Sequence, residues 1–273
     1  MSQLLGDRSR TLVMGILNVT PDSFSDGGQY AAADAAVARG LAMLEEGADI
    51  IDVGGESTRP GAPEVGVDEE LGRVVPVIRR IVEARPDAVV SIDTTKAVVA
   101  REALLVGASI VNDISGLGFD EAMGEVVASH GAELVLMHIQ GTPRTMQVEP
   151  RYDDVVEDIA AFFEARMARA VAAGVDEERI ILDPGIGFGK TVAHNLELLR
   201  RLGEFRRLGR ALLVGTSRKS FIGKLTGREA GDRVFGTAAT VALSIANGAD
   251  IVRVHDVAQM IDVVRVCDAI TRV

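Results

Sequence analysis

The phrase GADIIDV at residues 47–53 recurs in altered form at three other places in the chain. The related phrases are GASIVND at residues 107–113, GAELVLM at residues 131–137 and GADIVRV at residues 248–254. Each phrase begins with glycine, which commonly ends a helix, and continues into a short apolar run suited to a strand. A helix that leads directly into a buried parallel strand has this pattern. We interpret the phrase as the repeated joint of a β/α architecture.

Four further apolar runs predict strands without that phrase: TLVMGILN, AVVSID, RIILDPG and ALLVGTS. Together the eight strands are expected to begin near Thr11, Asp49, Ala88, Ser109, Glu133, Arg179, Ala211 and Asp250. The intervening segments, such as residues 31–47 and 152–174, have helical spacing. Eight such units favour a (β/α)8 TIM barrel that forms one domain over residues 1–273. A doubly wound open sheet is the alternative, but the strand count favours closure.

The composition limits the kinds of partner that we expect. The net charge is −11, which argues against a protein that binds nucleic acid or an anionic membrane. Cys267 is the only cysteine, so no internal disulfide can form, and this suits a reducing compartment. The first residues lack the apolar core of a signal peptide, and no later segment has 18 uninterrupted apolar residues. We therefore expect a cytoplasmic protein.

The stretch DPGIGFGKT at residues 183–191 is similar to a nucleotide-binding loop. That loop requires the pattern GxxxxGK[ST], which places a glycine five residues before Gly189. The chain has Pro184 there, and proline has no backbone N–H to offer a phosphate. The stretch is therefore not predicted to bind ATP or GTP. We expect Lys190 and Thr191 only to begin the next helix, with Thr191 as a possible cap.

Polar residues follow all eight predicted strands, at the barrel end where such folds carry their active sites. In chain order they are Asn18, Asp52, Asp93, Asn112 with Asp113, His138, Asp183, SRKS at residues 217–220, and Arg253 with His255. A complete ring of polar residues favours a shared pocket. The alternative interpretation is a set of buried ion pairs with a purely structural role.

Four members of the ring suit a nitrogen heterocycle. Asp93, Asn112, Asp183 and Lys219 provide carboxylates, an amide and a cation. A carboxylate accepts two parallel N–H groups from a guanidine-like edge, such as that of a pterin or a purine. An amide matches one donor and one acceptor on the neighbouring ring. The set predicts a site for such a ligand.

A second group of residues suits a phosphate. Arg253 and His255 leave the eighth strand, and residues 217–220 leave the seventh, where barrels often bind phosphate with help from a helix N-terminus. Arg59 adds another cation, and Asn18 offers an oxygen suited to Mg²⁺. The sequence thus predicts a ligand with a polar ring at one end and phosphate at the other.

Two long loops border the predicted site. TPDSFSDGG at residues 20–28 and GGESTRPGAPEVG at residues 54–66 are rich in turn residues. Both are candidates to close over the ligand, and Phe24 between two serines favours that role over a simple solvated loop.

Eight stretches of the chain form a characteristic set: MGILNVTPDSFSDGG, IIDVGGESTRPGA, VSIDT, IVNDISG, VLMHIQGTPRTMQ, ILDPGIGFGKT, VGTSRKSFIG and IVRVHDV. Together they resemble the dihydropteroate synthase family of pterin-binding enzymes. The stretches span almost the whole chain in the family's order, without a marked departure. Several long matches together are much more specific than any one of them.

The resemblance implies a reaction between 6-hydroxymethyl-7,8-dihydropterin diphosphate and p-aminobenzoate. The products are 7,8-dihydropteroate and pyrophosphate, in folate biosynthesis, usually with Mg²⁺ and usually in a homodimer. Sulfonamides inhibit the family by mimicking the aminobenzoate. By motif, the pterin-binding residues are Asp93, Asn112, Asp183 and Lys219, with Met137 and Phe188 lining the pocket. Asn18 contacts the metal, Arg253 and His255 bind the diphosphate, and Asp26, Thr58, Arg59 and Ser220 act around the aminobenzoate and the transition state.

An arylamine is already a neutral nucleophile, so the reaction requires no activated serine or cysteine. The difficult step is the departure of diphosphate, which Mg²⁺, Arg253 and His255 can assist. Asp183 and Asp26 can stabilise a cationic dihydropterin, which favours an SN1-like substitution. Two rival functions remain at this point: a pterin-barrel methyltransferase that transfers a methyl group to a corrinoid, and a non-catalytic pterin-binding subunit. Neither requires both the loop residues and the phosphate-binding residues.

Overall fold

The structure is a computed structural model that describes residues 9–20, 28–58 and 61–272. Eight parallel strands in this part of the chain pair in sequence order, and the last pairs with the first to close a barrel. They are β1 Leu12–Asn18, β2 Ile50–Gly54, β3 Val89–Asp93, β4 Ile110–Asp113, β5 Glu133–Met137, β6 Ile180–Asp183, β7 Ala211–Val214 and β8 Ile251–Val254. Each begins within one residue of its predicted start. The predicted (β/α)8 barrel is confirmed, and the open-sheet alternative is wrong.

Helices surround the barrel and connect the strands. They are α1 Gly28–Glu45, α2 Val67–Ala84, α3 Ala97–Leu105, α4 Met123–His130, α5 Val155–Ala172, α6 Val192–Arg200, α7 Ser220–Thr226, α8 Val234–Ala246 and α9 Val257–Thr271. Both α7 and α8 follow β7, so that connection has one α-helix more than the others among the described residues. No helix in the described ranges has the length and apolar character needed to cross a membrane.

The glycine of the repeated phrase has the backbone conformation that the helix-to-strand joint requires. Its φ is 106° at Gly47, 112° at Gly107, 59° at Gly131 and 98° at Gly248. Positive φ places the backbone in a region that other residues enter only with strain. The phrase therefore marks the place where each of four helices ends and the chain turns towards the next strand.

The barrel interior explains why the polar residues collect at one end. Alternate residues of a strand face the same side, so an inward apolar residue is followed two positions later by another inward residue. The apolar interior cluster contains Leu12, Met14, Ile50, Ile110, Val135, Ile181, Ala211, Leu213 and Ile251. Two positions after Ile50, Ile110, Ile181 and Ile251 come Asp52, Asn112, Asp183 and Arg253. The apolar layer thus forms the floor of a polar site.

Candidate active site

Arg253 reaches across the barrel from β8 and bridges two aspartates. Its Nε donates to Asp52 Oδ2 on β2, and its Nη2 donates to Asp93 Oδ2 on β3, each at 2.6 Å. Asn112 Nδ2 donates to the same Asp52 oxygen at 3.1 Å. Asp52 is fully buried, and its Oδ1 has no hydrogen-bond partner among the described residues. The structure therefore joins four residues of the predicted ring in one network.

The network contains more buried negative charge than one arginine can fully neutralise. Burial raises the pKa of Asp93 to about 7, although the nearby Arg253 charge acts in the opposite direction. Burial would lower the pKa of Arg253, but Asp52 and Asp93 raise it above its usual value, so the guanidinium stays charged. Asp93 can therefore gain a proton near neutral pH. A ligand with N–H groups would stabilise its ionised form instead.

Asp183 ends β6 and is held by the turn that follows it. Its Oδ1 accepts the backbone N–H of Gly185 at 2.7 Å, and burial raises its pKa. Gly185 has φ 68°, and a Cβ atom there would lie 2.0 Å from the carbonyl oxygen of His138. Only glycine allows the β6 loop to pass this close to the end of β5. The turn thus fixes the Asp183 carboxylate above the barrel floor.

Lys219 and Phe188 form one side of the site. Lys219 immediately precedes α7, and its Nζ lies 3.9 Å from the centroid of the Phe188 ring. Burial and the charge of Arg253 lower the pKa of Lys219 to about 8. Phe188 and Met137 belong to a buried apolar cluster with Ile114, Ile139 and Met146. The predicted pocket-lining residues Met137 and Phe188 therefore form one apolar wall beside the polar network.

His255 lies at the end of β8 and contacts Ser217 rather than a carboxylate. The Ser217 hydroxyl accepts the backbone N–H of His255 at 3.1 Å and shares a hydrogen with its Nδ1 at 3.0 Å. Burial and the charges of Arg253 and Arg218 lower the pKa of His255 to about 3, so its ring is neutral at pH 7. Arg218 itself donates to both carboxylate oxygens of Asp256. The predicted phosphate side is thus less positive than its sequence suggests.

The remaining predicted residues lie around the rim. Thr58 lines a cavity of about 500 Å³ that also contains Asp93 and Ile114 in its wall. Ser220 is the exposed first residue of α7, and Asn18 is half-buried at the end of β1. Asp26 and Arg59 lie outside the described residues, as do Phe24 and parts of both predicted closing loops.

One functional candidate was missed by the sequence analysis. Lys190 was expected only to begin a helix, yet its side chain is buried. Its Nζ donates to the carbonyl oxygens of Phe188 and His138 at 2.8 and 3.3 Å, and lies 2.9 Å from His138 Nδ1. Burial lowers the pKa of Lys190 well below its ordinary value. A lysine at the start of a helix is normally exposed to solvent. The sequence therefore gave no indication that this side chain is buried and holds the loop after β6 in place.

The expected role of Thr191 as a helix cap is confirmed. Thr191 caps α6, because its hydroxyl accepts the backbone N–H of His194 and the His194 ring accepts that of Thr191. The glycines that suggested a nucleotide loop instead bring the β6 loop against the end of β5: a Cβ atom on Gly189 would lie 2.9 Å from Gln140. His138, a member of the predicted ring, packs edge-on against Phe162 at 4.8 Å between ring centroids. It stabilises this loop rather than facing a ligand.

Comparisons with known proteins agree with the geometry. A family model described as pterin binding enzyme matches residues 14–255. The dihydropteroate synthase of Synechocystis sp. is 52% identical over 264 residues, which cover 96% of this chain and 91% of that protein.

Two solved structures show the same fold. A Yersinia pestis dihydropteroate synthase with a sulfonamide drug complex has a TM-score of 0.91 and 46% identity, covering 97% of this chain and 95% of that one. A Xanthomonas albilineans dihydropteroate synthase in complex with 7,8-dihydropteroate has a TM-score of 0.88 and 44% identity, covering 98% and 96%. With a family match over most of its length and relatives near half identical, the chain belongs to the pterin-binding enzyme family and, within it, to the dihydropteroate synthases, which are transferases of folate biosynthesis.

Proposed function

We propose that the chain joins 6-hydroxymethyl-7,8-dihydropterin diphosphate to p-aminobenzoate and releases pyrophosphate, through the residues described above. The supporting observation is the buried set of Asp93, Asn112 and Asp183 next to the Phe188 wall. A carboxylate such as Asp183, with one oxygen already held by Gly185, keeps acceptor capacity for the guanidine-like edge of a pterin. Asn112 and Lys219 match the remaining ring atoms. Met137 and Phe188 contact the flat face of the ring.

Arg253 and His255 receive the diphosphate. A guanidinium has five N–H donors, and Arg253 uses two of them on Asp52 and Asp93. The other three remain to bind phosphate oxygens. The neutral ring of His255 can donate one further hydrogen bond. These donors stabilise the charge that develops on the leaving group as the carbon–oxygen bond breaks.

Magnesium is the cofactor that the family resemblance implies. Within the described ranges no three His, Cys, Asp or Glu side chains are placed to hold a metal ion. Asn18 is at the rim, and a single amide oxygen fits Mg²⁺, which is often bound by few protein groups together with substrate phosphates. Asn18 is therefore the residue that would hold the ion. A bound ion there would neutralise charge on the diphosphate.

The substitution is proposed to be SN1-like. Asp183 and Asp26 stabilise the cationic dihydropterin, while Thr58, Arg59 and Ser220 act around the incoming aminobenzoate. The loops at residues 20–28 and 54–66 exclude water that would otherwise capture the cation. Asp26→Ala is expected to lower kcat far more than dihydropterin affinity, measured by single-turnover kinetics and equilibrium binding. An unchanged kcat would contradict this mechanism.

A homodimer is also proposed, with residues 1–273 of each copy forming one barrel domain in the cytoplasm. One face of α8 supports this, because it exposes an apolar stripe of Phe235, Ala239, Leu243 and Ala246 at helical spacing. Phe235 is 85% exposed and Leu243 is 58% exposed. Such a stripe on a soluble protein is typical of an interface. Sedimentation of the wild type and of Leu243→Glu tests this: the variant should be monomeric.

The central experiment measures pyrophosphate release from the dihydropterin diphosphate with and without p-aminobenzoate. Release that depends on aminobenzoate, with formation of 7,8-dihydropteroate, is the expected result. Folded protein that shows no such release would overturn the proposed function. Transfer of a methyl group to a corrinoid, or pterin binding without turnover, would instead support one of the two rival functions.

A further inference from the structure

The loop that follows β2, residues 54–66, is called the β2 loop below. At its base Lys96, Glu56 and Glu70 form a charged cluster that the proposed mechanism does not use. Lys96, which precedes α3, donates to Glu56 Oε2 in the loop and to Glu70 Oε2 on α2, the latter at 2.5 Å. The side chains of Lys96, Glu56 and Glu70 are 19%, 24% and 1% exposed. The cluster therefore connects a buried helix residue to a loop residue through one ammonium group.

The buried end of the cluster fixes the position of Lys96. Glu70 is enclosed by protein, and among the described residues its Oε1 has no hydrogen-bond partner. Leaving a buried carboxylate without a counter-charge costs free energy, so the ion pair between Lys96 and Glu70 Oε2 is strongly held. Burial alone would lower the pKa of Lys96, but hydrogen bonds to Glu56 and Glu70 raise it. The ammonium group is therefore a fixed, charged anchor.

The half-buried end of the cluster holds the loop. Glu56 Oε1 accepts the backbone N–H of Val65 at 3.4 Å, so this side chain connects the first part of the β2 loop with its last part. Arg73 on α2 donates to the Gly55 carbonyl oxygen at 2.6 Å, which secures the neighbouring residue. Thr58 is only two residues beyond Glu56 and lines the same cavity as Asp93. The position of Thr58 relative to Asp93 thus depends on the anchoring of Glu56.

The charge of the cluster argues against direct binding of the aminobenzoate carboxylate. Two glutamates and one lysine carry a net charge of −1, which repels an anion. Two of the three Lys96 N–H groups already donate to the glutamates. The cluster is suited to hold protein in place.

We propose that Glu56 and Lys96 are positioning residues for the aminobenzoate step: Lys96, fixed by Glu70, holds Glu56 and so places the loop segment that carries Thr58 beside the cavity. This inference rests on the proposed function. It assigns the cluster to the binding of the second substrate and not to that of the pterin. The two glutamates then have separable roles, since Glu70 fixes the anchor and Glu56 is the group held by it.

The experiment compares Glu56→Gln with Glu70→Gln, which are the same chemical change on the two partners of one lysine. Steady-state pyrophosphate release gives KM for each substrate and kcat, and urea unfolding gives stability. For Glu56→Gln we expect KM for p-aminobenzoate to rise about tenfold, with KM for the dihydropterin diphosphate within about twofold of wild type. For Glu70→Gln, which weakens the hold on Lys96 and through it the hold on Glu56, we expect a rise in KM for p-aminobenzoate in the same direction, together with the lower urea midpoint of the two.

Lys96→Met and Lys96→Arg complete the test. Lys96→Met should raise KM for aminobenzoate as Glu56→Gln does, and Lys96→Arg, which can still donate to both glutamates, should retain a KM near that of wild type. If stability and both KM values change in parallel in all variants, the cluster has only a structural role and the inference is wrong. If wild-type protein shows no aminobenzoate-dependent release, the proposed function fails instead, which is a distinct outcome.

Discussion

Two half-buried carboxylates at the amino end of the barrel have different partners from two buried carboxylates at its carboxyl end. At the amino end, Asp49 accepts two hydrogen bonds from Arg10 and the backbone N–H of Val13. Asp268 on α9 similarly accepts both the backbone N–H and the hydroxyl of Thr11. These carboxylates have local partners that hold the ends of strands and helices together.

At the carboxyl end, Asp52 and Asp93 share one arginine, and Asp52 Oδ1 has no partner in the described part of the chain. Such an arrangement stores electrostatic free energy that a ligand with N–H groups can release. The pairs of Asp49 and Asp268 therefore stabilise the fold, while the network of Asp52, Arg253 and Asp93 gives up some stability for binding.

The largest expected effect comes from removing the shared cation. Arg253→Met leaves Asp52 and Asp93 without their counter-charge and removes donors for the departing diphosphate. We expect kcat/KM to fall by about 10³-fold, from the size of such electrostatic effects in other enzymes. Pyrophosphate release measures this.

The matched control lies at the other end of the barrel. Arg10→Met also removes an arginine that pairs with an aspartate, but at an exposed site far from the cavity. Its kcat/KM should equal that of wild type. Similar losses in the two variants would show that the two ends do not differ in function.

A smaller effect is expected from the buried lysine of the β6 loop. Lys190→Met removes the hydrogen bonds from Lys190 to two carbonyl oxygens and to His138 Nδ1, so the loop that carries Phe188 loosens. We expect KM for the dihydropterin diphosphate to rise about tenfold, because the apolar wall is displaced. Steady-state kinetics and a crystal structure of the variant measure both changes.

Tyr152→Phe is the control for that substitution. It removes one hydrogen bond to the same loop, from the Tyr152 hydroxyl to the Gly189 carbonyl oxygen at 2.7 Å. That bond does not reach Phe188, so KM should stay near wild type while stability falls by about 1 kcal/mol. An equal rise in KM would mean that any loosening of the loop suffices, and Lys190 would have no particular role.

The contrast between Lys190 and the repeated glycine phrase shows what sequence can predict. Strand starts and helix ends depend on local backbone preference and on burial. In phrases such as GADIIDV the glycine indicates the first and the apolar run indicates the second. The inward direction of Asp52 and Arg253 follows from two-residue alternation, so the ring was predictable too. The pairing of side chains within the ring was not predictable from the sequence.

Which donor meets which acceptor depends on distances across the barrel that no local pattern contains. Arg253 was assigned to the diphosphate, and the structure adds that it also joins Asp52 to Asp93. Lys190 was expected only to begin a helix, whereas the close packing of Gly185 and Gly189 against the β5 loop buries it. Burial of a charged side chain is a property of the assembled fold.

At the amino end the expected effect is on stability alone. Asp268→Ala removes the acceptor of two hydrogen bonds from Thr11, whose backbone N–H and hydroxyl are buried there. We expect the free energy of unfolding to fall by about 2 kcal/mol. Urea denaturation measures this, and kcat and both KM values should not change. A lower kcat in the folded variant would contradict the assignment of this end to stability.

A gradual effect is expected from pH, which changes stability at the carboxyl end of the barrel. Burial and the Lys190 charge lower the pKa of His138 from 6.5 to about 2. Below pH 6.5 the unfolded chain therefore binds a proton at this histidine that the folded protein does not bind until about pH 2. The contribution of His138 to stability is thus fully present above pH 6.5 and is lost as the pH falls, by about 1.4 kcal/mol per pH unit.

His138→Gln isolates this contribution, because glutamine can hydrogen-bond to Lys190 but does not titrate. The pKa of His255 is lowered to about 3, so its contribution to stability also falls over much of the same pH range. His255 is present in both proteins, so this contribution cancels when their free energies of unfolding are compared. Urea unfolding of both proteins between pH 7.5 and pH 5 should give curves that converge as the pH falls. Parallel curves would mean that His138 has the same pKa in the folded protein as in the unfolded chain, and below pH 6.5 the β6 loop would then rest on a charged pair and not on a neutral ring.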